Sequence, residues 1–181
     1  MAPSGNGETT SPIQARLIWS VIPSPVGELL LTTDADHLTG LFFRPHKASH
    51  QQWDRCRRAG VEDPEAAVLA RTRRELEQYF AGERTEFDLP LAPAGTEFQL
   101  RVWTALIDIP YGRTESYGHV ALRLGLVPGA SRAVGLANGA NPISIVVPCH
   151  RVIGMNGSLT GYGGGLDRKR FLLDLEQGSL F

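Results

Sequence analysis

The segment Val147-Pro148-Cys149-His150-Arg151-Val152-Ile153 places a cysteine directly beside a histidine, after a proline and an apolar run typical of a β-strand. A thiol attacks as its thiolate, and an imidazole that accepts the thiol proton makes the thiolate available near neutral pH. The pair alone also fits a buried cysteine beside a structural histidine. Its neighbours favour a reactive pocket, because Asn141-Pro142 precedes it and the glycine-rich segment 161–165 follows.

Further sequence blocks lie on both sides of this segment in a definite order. They are Phe98-Gln99-Leu100-Arg101-Val102-Trp103, Ile109-Pro110-Tyr111-Gly112, Ser116-Tyr117, Ser131-Arg132-Ala133-Val134-Gly135 and Asn141-Pro142. Together with Pro148-Cys149-His150-Arg151, these blocks resemble the O6-alkylguanine-DNA alkyltransferases, also called methylated-DNA–protein-cysteine methyltransferases. The resemblance covers residues 86–177 strongly and residues 15–85 in general layout.

The N-terminal half is predicted to be a small antiparallel sheet with helices. Alternating and β-branched runs predict strands over residues 16–22, 28–32 and 38–43. A short helix is expected in the polar segment 46–60, and helical periodicity predicts a longer one between Pro64 and Gly82. Residues 1–14 have the composition of a disordered tail, residues 15–88 form the predicted N-terminal α/β domain, and residues 89–95 form a linker. The resemblance implies a ribonuclease-H-like arrangement, so the fold class is α+β.

Residues 96–181 are predicted to form a mainly helical domain for DNA binding and alkyl transfer. Helices are expected from Thr96 to Leu106, from Ser116 or Tyr117 to Leu124, over residues 130–138 and over residues 166–176. The middle two resemble a helix-turn-helix, which the family implies to be of the winged type. Ala133 and Gly135 on its second helix would let the backbone approach a DNA duplex, although small residues also pack closely in cores.

Composition and charge limit the classes of function. Neither a secretory signal nor a membrane-spanning apolar run is visible, and the two cysteines, Cys56 and Cys149, suggest no disulfide framework or zinc site, so we expect a cytoplasmic protein. Residues 1–95 carry 10 basic and 13 acidic side chains, and residues 96–181 carry 8 and 6. The weakly basic second half predicts modest affinity for undamaged DNA.

The resemblance implies an unusual reaction at Cys149. The thiol takes an alkyl group from guanine O6 by in-line displacement, and the stable thioether that results makes the protein a single-use reagent. His150 is implied to deprotonate the thiol through a water molecule, and Glu176 to orient the histidine. Without the resemblance, Glu176 reads as an exposed carboxylate near a helix end.

The resemblance also implies that the damaged base rotates out of the duplex, since a stacked base cannot reach a thiol in a pocket. Arg132 would fill the gap, or would simply contact a phosphate. Tyr117 would contact the target phosphate, or be structural. Asn141 would turn the chain into the active-site strand, and Tyr162 would protonate the leaving oxygen.

Arg151 is assigned to DNA contact. The implied partner is double-stranded DNA that contains O6-alkylguanine, bound by a monomer without cofactor, metal or membrane.

Two departures from some relatives bear on specificity. Ser144 stands where those relatives have a proline that stacks on bulky adducts, and Gly163 where they have a serine that hydrogen-bonds guanine. These two changes favour a permissive pocket, and O4-alkylthymine is a possible second substrate. Two other classes of protein are alternatives to this function. A cysteine hydrolase would need an oxyanion hole and a histidine usually remote in sequence. A non-enzymatic alkyltransferase-like damage sensor would lack Cys149.

Overall fold

The computed structural model describes residues 17–44 and 50–179, so the predicted tail over residues 1–14 lies outside the described residues. The strands are β1 (Ile18–Ile22), β2 (Leu29–Thr33), β3 (Leu38–Phe43), β4 (Val61–Glu62), β5 (Glu115–Ser116) and β6 (Val152–Ile153). The helices are α1 (His50–Ala59), α2 (Ala67–Phe80), α3 (Glu97–Ile107), α4 (Tyr117–Arg123), α5 (Ser131–Gly139) and α6 (Leu166–Glu176), with a 3₁₀ turn at Cys149–Arg151. No helix in this part of the chain is long and apolar enough to cross a membrane.

The N-terminal sheet is mixed, which corrects the prediction of a purely antiparallel one. Its strand order is β3-β2-β1-β4, and the pairs β1–β2 and β2–β3 are antiparallel as expected. The short strand β4 was missed, and it pairs parallel with β1. Parallel neighbours need a crossover connection, and α1 lies in the connection that leads into β4. Two residues are too few to carry a recognisable strand pattern.

A single hydrophobic cluster joins the two halves of the chain. Alternate residues of β2 point to opposite faces, so Leu29 and Leu31 belong to this main cluster, while Leu30 packs on the other face with Trp53 and Cys56. The main cluster also contains buried residues of α3, α5 and α6. The predicted linker contributes as well, since Leu89 and Leu91 pack against this cluster, and Leu38 N donates to Pro90 O at 2.8 Å. The N-terminal sheet therefore packs directly against the elements that carry Cys149.

The C-terminal helices follow the sequence signals closely. Thr96 caps α3 in a capping box with Gln99, and α6 has the predicted bounds. The Trp103 indole of α3 donates to Ala137 O of α5 at 2.8 Å, which ties the two helices together. β5 pairs parallel with β6, so the start of α4 lies beside the segment that follows Cys149.

The chain before Cys149 is a turn, and the prediction of a strand there was wrong. Ile143 makes an isolated bridge to Leu41, where Leu41 N donates to Pro142 O at 2.8 Å. Ile145 then adopts φ 71°, a left-handed conformation that ends any extended run. Val147 N donates back to Ile143 O at 3.0 Å and closes the turn. An apolar run indicates burial, and this one is buried without being a strand.

Candidate active site

The Cys149 thiol lies at the start of the 3₁₀ turn and is 4% exposed. Asn141 Nδ2 donates to Cys149 Sγ at 3.0 Å and to Val147 O at 2.9 Å. Asn141 Oδ1 accepts from Ile143 N at 2.9 Å, so the same side chain also stabilises the turn predicted for it. The hydrogen bond to sulfur was not predicted, because it depends on how the turn brings residue 141 back to residue 149.

Burial dominates the protonation state of the thiol. It raises the pKa of Cys149 to about 11, against opposing effects of the Asn141 hydrogen bond and the positive charge of Lys169. The resting cysteine is therefore a neutral thiol at physiological pH. A nucleophilic role requires a base that removes its proton during the reaction.

His150 is fully buried, and its Nε2 lies 2.7 Å from Glu176 Oε1. Burial lowers the pKa of His150, although the carboxylate of Glu176 acts in the opposite direction. A neutral imidazole bonded to a carboxylate carries its proton on Nε2, which leaves Nδ1 as an acceptor. Nδ1 is buried and has no hydrogen-bond partner among the described residues. The ring can therefore accept a proton at Nδ1.

The Glu176 carboxylate accepts hydrogen bonds from five donors. Oε1 accepts from His150 Nε2, Tyr79 Oη at 2.8 Å and Arg151 Nη2 at 3.0 Å, and Oε2 accepts from Arg151 Nε at 2.8 Å and Gly112 N at 3.2 Å. Burial alone would raise the pKa of Glu176, but the hydrogen bonds and charges of His150 and Arg151 outweigh it and hold the pKa at about 2. Glu176 is a permanent buried anion, not the exposed carboxylate that its sequence position suggests.

Arg151 lies in the interior, and this conflicts with its prediction as a DNA contact. The side chain is 6% exposed, binds Glu176 through two nitrogens and donates from Nη1 to Ile109 O at 2.6 Å. A buried carboxylate is stable only with a charged, hydrogen-bonded partner, and Arg151 is that partner. Sequence alone could not distinguish it from a phosphate-binding arginine, because Glu176 lies 25 residues away.

Lys169 is a site residue that sequence reasoning missed. Its Nζ is fully enclosed and donates to Val152 O at 2.6 Å and to Thr160 O at 2.9 Å. It lies 5.8 Å from the ring centroid of Tyr117 and 5.9 Å from that of Tyr162. Burial lowers the pKa of Lys169 to about 8, and the neighbouring Cys149 raises it. The ammonium group is a cation without a carboxylate partner among the described residues.

A sequence signal for Lys169 was present. Lys169, Leu172, Leu173 and Glu176 follow the i, i+3, i+4, i+7 spacing of one helical face, and all four are buried. A lysine on that face is placed inside by its neighbours. Because lysine is rarely buried, Lys169 was not among the predicted site residues.

Tyr162 and Tyr117 border the thiol from the glycine-rich segment and from α4. Tyr162 is 7% exposed, and its hydroxyl is buried without a partner among the described residues. Burial raises the pKa of Tyr162 well above its usual value, so the phenol stays protonated. Tyr117 Oη donates to Thr160 O at 2.9 Å, the same carbonyl that accepts from Lys169.

The predicted DNA-contacting residues of α5 are at the surface. Arg132 and Ala133 are exposed in the first turn of the helix, and Gly135 lies against Tyr117, where an added Cβ would be 3.7 Å from the ring. A cavity of about 300 Å³ opens between this region and the N-terminal sheet. Ser144 and Gly163, the two positions that depart from some relatives, both line that cavity together with Asn141 and Phe43.

Comparisons with known proteins identify the family of this chain. Residues 97–178 match the family described as "6-O-methylguanine DNA methyltransferase, DNA binding domain". Residues 17–93 match the family's "ribonuclease-like domain". The chain belongs to the methylated-DNA–protein-cysteine methyltransferase family. This confirms the predicted family and the α+β fold class, whereas the winged form of the helix-turn-helix and the individual roles of the site residues stay predictions.

Curated relatives in this family align over most of the chain. The Mycobacterium tuberculosis methylated-DNA–protein-cysteine methyltransferase is 52% identical over 161 residues, which cover 88% of this chain and 92% of that protein. The Methanosarcina acetivorans protein of the same name is 51% identical and covers 88% and 98%. The crystal structure of M. tuberculosis OGT in complex with DNA aligns with a TM-score of 0.80 at 50% identity, over 89% of this chain and 93% of that one.

Proposed function

We propose that this protein repairs DNA by transferring an alkyl group, most simply a methyl, from guanine O6 to Cys149. One observation carries the proposal: directly after the buried Cys149 in the chain comes a buried histidine, His150, whose Nε2 is bonded to a buried carboxylate and whose Nδ1 has no hydrogen-bond partner in the described part of the chain. The names of the relatives, and the DNA complex of one of them, support the substrate class.

The reaction proceeds by displacement at the alkyl carbon. His150 Nδ1 takes the Cys149 proton through a water molecule, and the sulfur forms a bond to carbon as the carbon–oxygen bond breaks. The bonding electron pair goes to the guanine oxygen, and the Tyr162 hydroxyl protonates the leaving base. Tyr162 recovers its proton from the imidazolium through solvent, so the thiol proton ends on guanine. The thioether does not hydrolyse, and the protein acts once.

The proposal includes extrusion of the damaged nucleotide. Arg132 occupies the gap in the duplex, Tyr117 contacts the target phosphate, and Ala133 and Gly135 allow α5 to approach the backbone closely. β5, β6 and the turn between Ile153 and Ser158 form the wing.

The protein acts as a cytoplasmic monomer on double-stranded DNA. Its N-terminal domain spans residues 15–88, its linker residues 89–95 and its C-terminal domain residues 96–181. With Ser144 and Gly163 at these positions the site is permissive, and O4-alkylthymine is a second substrate under this proposal.

Intact-protein mass spectrometry tests this function. After mixing with a duplex that contains one O6-methylguanine, we expect each protein molecule to gain one methyl, located on Cys149, and the reaction then to stop. Cys149→Ala should bind DNA without gaining mass, while the matched control Cys56→Ala should react normally, because Cys56 lies in the separate cluster with Leu30 and Trp53. An unchanged mass, repeated turnover, or methyl on Cys56 would contradict the proposal.

A further inference from the structure

The hydroxyl of Tyr79 connects the N-terminal half of the chain to the candidate active site. Tyr79 lies on α2, is fully buried, and donates to Glu176 Oε1 at 2.8 Å from a position 97 residues away in sequence. Its ring is held by three aromatic neighbours, with centroid distances of 5.3 Å to Phe80, 5.4 Å to Phe87 and 6.1 Å to Tyr111. The direction of the hydroxyl is therefore set by how α2 packs.

The oxygen that Tyr79 binds is crowded. Oε1 accepts from His150, Tyr79 and Arg151, whereas a carboxylate oxygen offers about two lone-pair sites. Donors that share one oxygen weaken each other's hydrogen bonds. Tyr79 therefore competes directly with His150 for the charge on Oε1.

Other charged and titratable groups surround Tyr79, His150 and the carboxylate that they share, and each of these groups comes from the C-terminal half. They are Arg151 and Cys149 of the 3₁₀ turn, Lys169 of α6, Tyr111 of the loop after α3, and Tyr162 of the glycine-rich segment. Arg151 bridges both carboxylate oxygens and cannot be removed without leaving a buried unpaired anion. Tyr79 is the one donor to Glu176 among the described residues that belongs to the N-terminal half.

We propose that Tyr79 is a positioning residue for alkyl transfer: its hydroxyl shares Glu176 Oε1 with His150, and so makes the readiness of His150 to accept the thiol proton depend on the docking of the N-terminal domain. The role of His150 as a base rests on the function proposed above. Burial and the charge of Glu176 raise the pKa of Tyr79 well above its usual value, so Tyr79 remains a donor at any physiological pH.

The test is the titration of His150 in the resting protein without DNA. In Tyr79→Phe the ring packing is kept and Oε1 loses one donor, so the carboxylate interacts more strongly with His150 and stabilises its protonated form. We expect the pKa of His150, followed by NMR of labelled histidine and assigned with His150→Gln, to rise by about half to one unit. The pH at which single-turnover transfer is half-maximal on the acid side should rise by the same amount.

Thr72→Val is the matched control. Thr72 is also fully buried on α2, and its hydroxyl donates to Val68 O at 2.7 Å rather than to the site. It should lower thermal stability without moving the His150 titration. If His150 titrates identically in wild type and Tyr79→Phe, or if Thr72→Val shifts it equally, Tyr79 is structural only. Absence of transfer in wild type would instead overturn the proposed function, and the NMR result would not depend on it.

Discussion

The two buried regions around His150 differ in how far their polar groups are hydrogen-bonded. On the Nε2 side, the carboxylate cluster of Glu176, Arg151, Tyr79 and Gly112 is saturated, since one carboxylate receives five hydrogen bonds. The thiol pocket of Cys149, Asn141, Tyr162 and Lys169 is different. The Tyr162 hydroxyl there, and Nδ1 of the adjoining His150, are buried without a hydrogen-bond partner among the described residues.

This difference separates what holds the site from what reacts in it. Buried polar groups are normally satisfied, because each unmade hydrogen bond costs free energy. A saturated cluster is therefore stabilising and rigid, and its disruption should affect the folded protein. Unsatisfied groups in a pocket are available to a substrate, and their removal should affect the reaction while leaving the fold almost unchanged.

Glu176→Gln should have the largest effect, because it breaks the saturated region. It leaves the Arg151 charge without its partner, and breaking a buried pair from one side costs about 3–5 kcal/mol of stability. Transfer at pH 7 should slow by about 100-fold, as expected for loss of general-base assistance, and recover partly at alkaline pH as solvent deprotonates Cys149. Chemical denaturation and single-turnover rates measure both.

Asp174→Asn is the control for this prediction, since it makes the same neutralisation on α6 outside the cluster. Its stability and rate should stay close to wild type. Equal stability of Glu176→Gln and wild type would show that the carboxylate cluster does not hold the fold.

Acid should weaken the carboxylate cluster in a defined pH range. The pKa of Glu176 is about 2 in the folded protein against an ordinary value of 4.5, so the unfolded chain binds this proton first as the pH falls. The stabilisation is fully present above about pH 4.5 and is lost as the pH approaches 2. The difference in melting temperature between wild type and Glu176→Gln should therefore shrink over this range. A melting-temperature difference that stays constant between pH 4.5 and 2 would contradict the lowered pKa of Glu176.

Elements with local signals could be predicted, and contacts across the fold could not. The Thr96 cap of α3 and the bounds of α6 each depend on signals within one helix, so the sequence located both correctly. The resemblance identified Cys149, His150 and Glu176 as a group. By contrast, Tyr79 reaches Glu176 only because α2 packs against the C-terminal half, and no pattern near residue 79 reveals that contact.

Residues whose usual location is the surface were the other source of error. Arg151 was expected at a phosphate and Lys169 was not considered, because arginine and lysine are seldom buried. Arg151 is placed inside by a partner that becomes visible only in three dimensions, whereas Lys169 lies on a helical face whose spacing the sequence already contained. The strand expected before Cys149 failed for a related reason, since apolar composition specifies burial and leaves the backbone conformation open.

Arg132→Ala extends the comparison to the exposed face, where the protein meets DNA. The arginine makes no contribution to either buried region and should not change stability. Its removal should slow transfer from duplex DNA by about 30-fold and from single-stranded DNA much less, because unstacking costs a few kcal/mol in a duplex only. Single-turnover rates on both substrates decide this. Equal slowing would mean that Arg132 is a phosphate contact.

Lys169→Met should separate charge from packing within the thiol pocket. A nearby cation favours the Cys149 thiolate, so its loss should slow transfer at pH 7 by about tenfold. Because the pKa of Lys169 is about 8, wild type loses this charge above that pH and the gap between the two proteins should narrow. Arg170→Met, an exposed neighbour, should match wild type. A gap that does not change with pH would indicate a packing role.

Of the two buried tyrosine hydroxyls, that of Tyr162 should contribute less to stability. The hydroxyl that it removes is buried without a partner among the described residues, so the free energy of unfolding should change by less than about 0.5 kcal/mol or rise slightly. Tyr79→Phe removes an equally buried hydroxyl that is bonded to Glu176, and should cost about 1–3 kcal/mol. Transfer should respond in the opposite order at pH 8, where Tyr162→Phe is slowed because the leaving guanine loses its proton donor, while Tyr79→Phe stays near wild type. Denaturant unfolding and single-turnover rates of both variants show whether each hydroxyl stabilises the fold or takes part in the reaction. A large loss of stability in Tyr162→Phe would show that the thiol pocket, too, holds the fold.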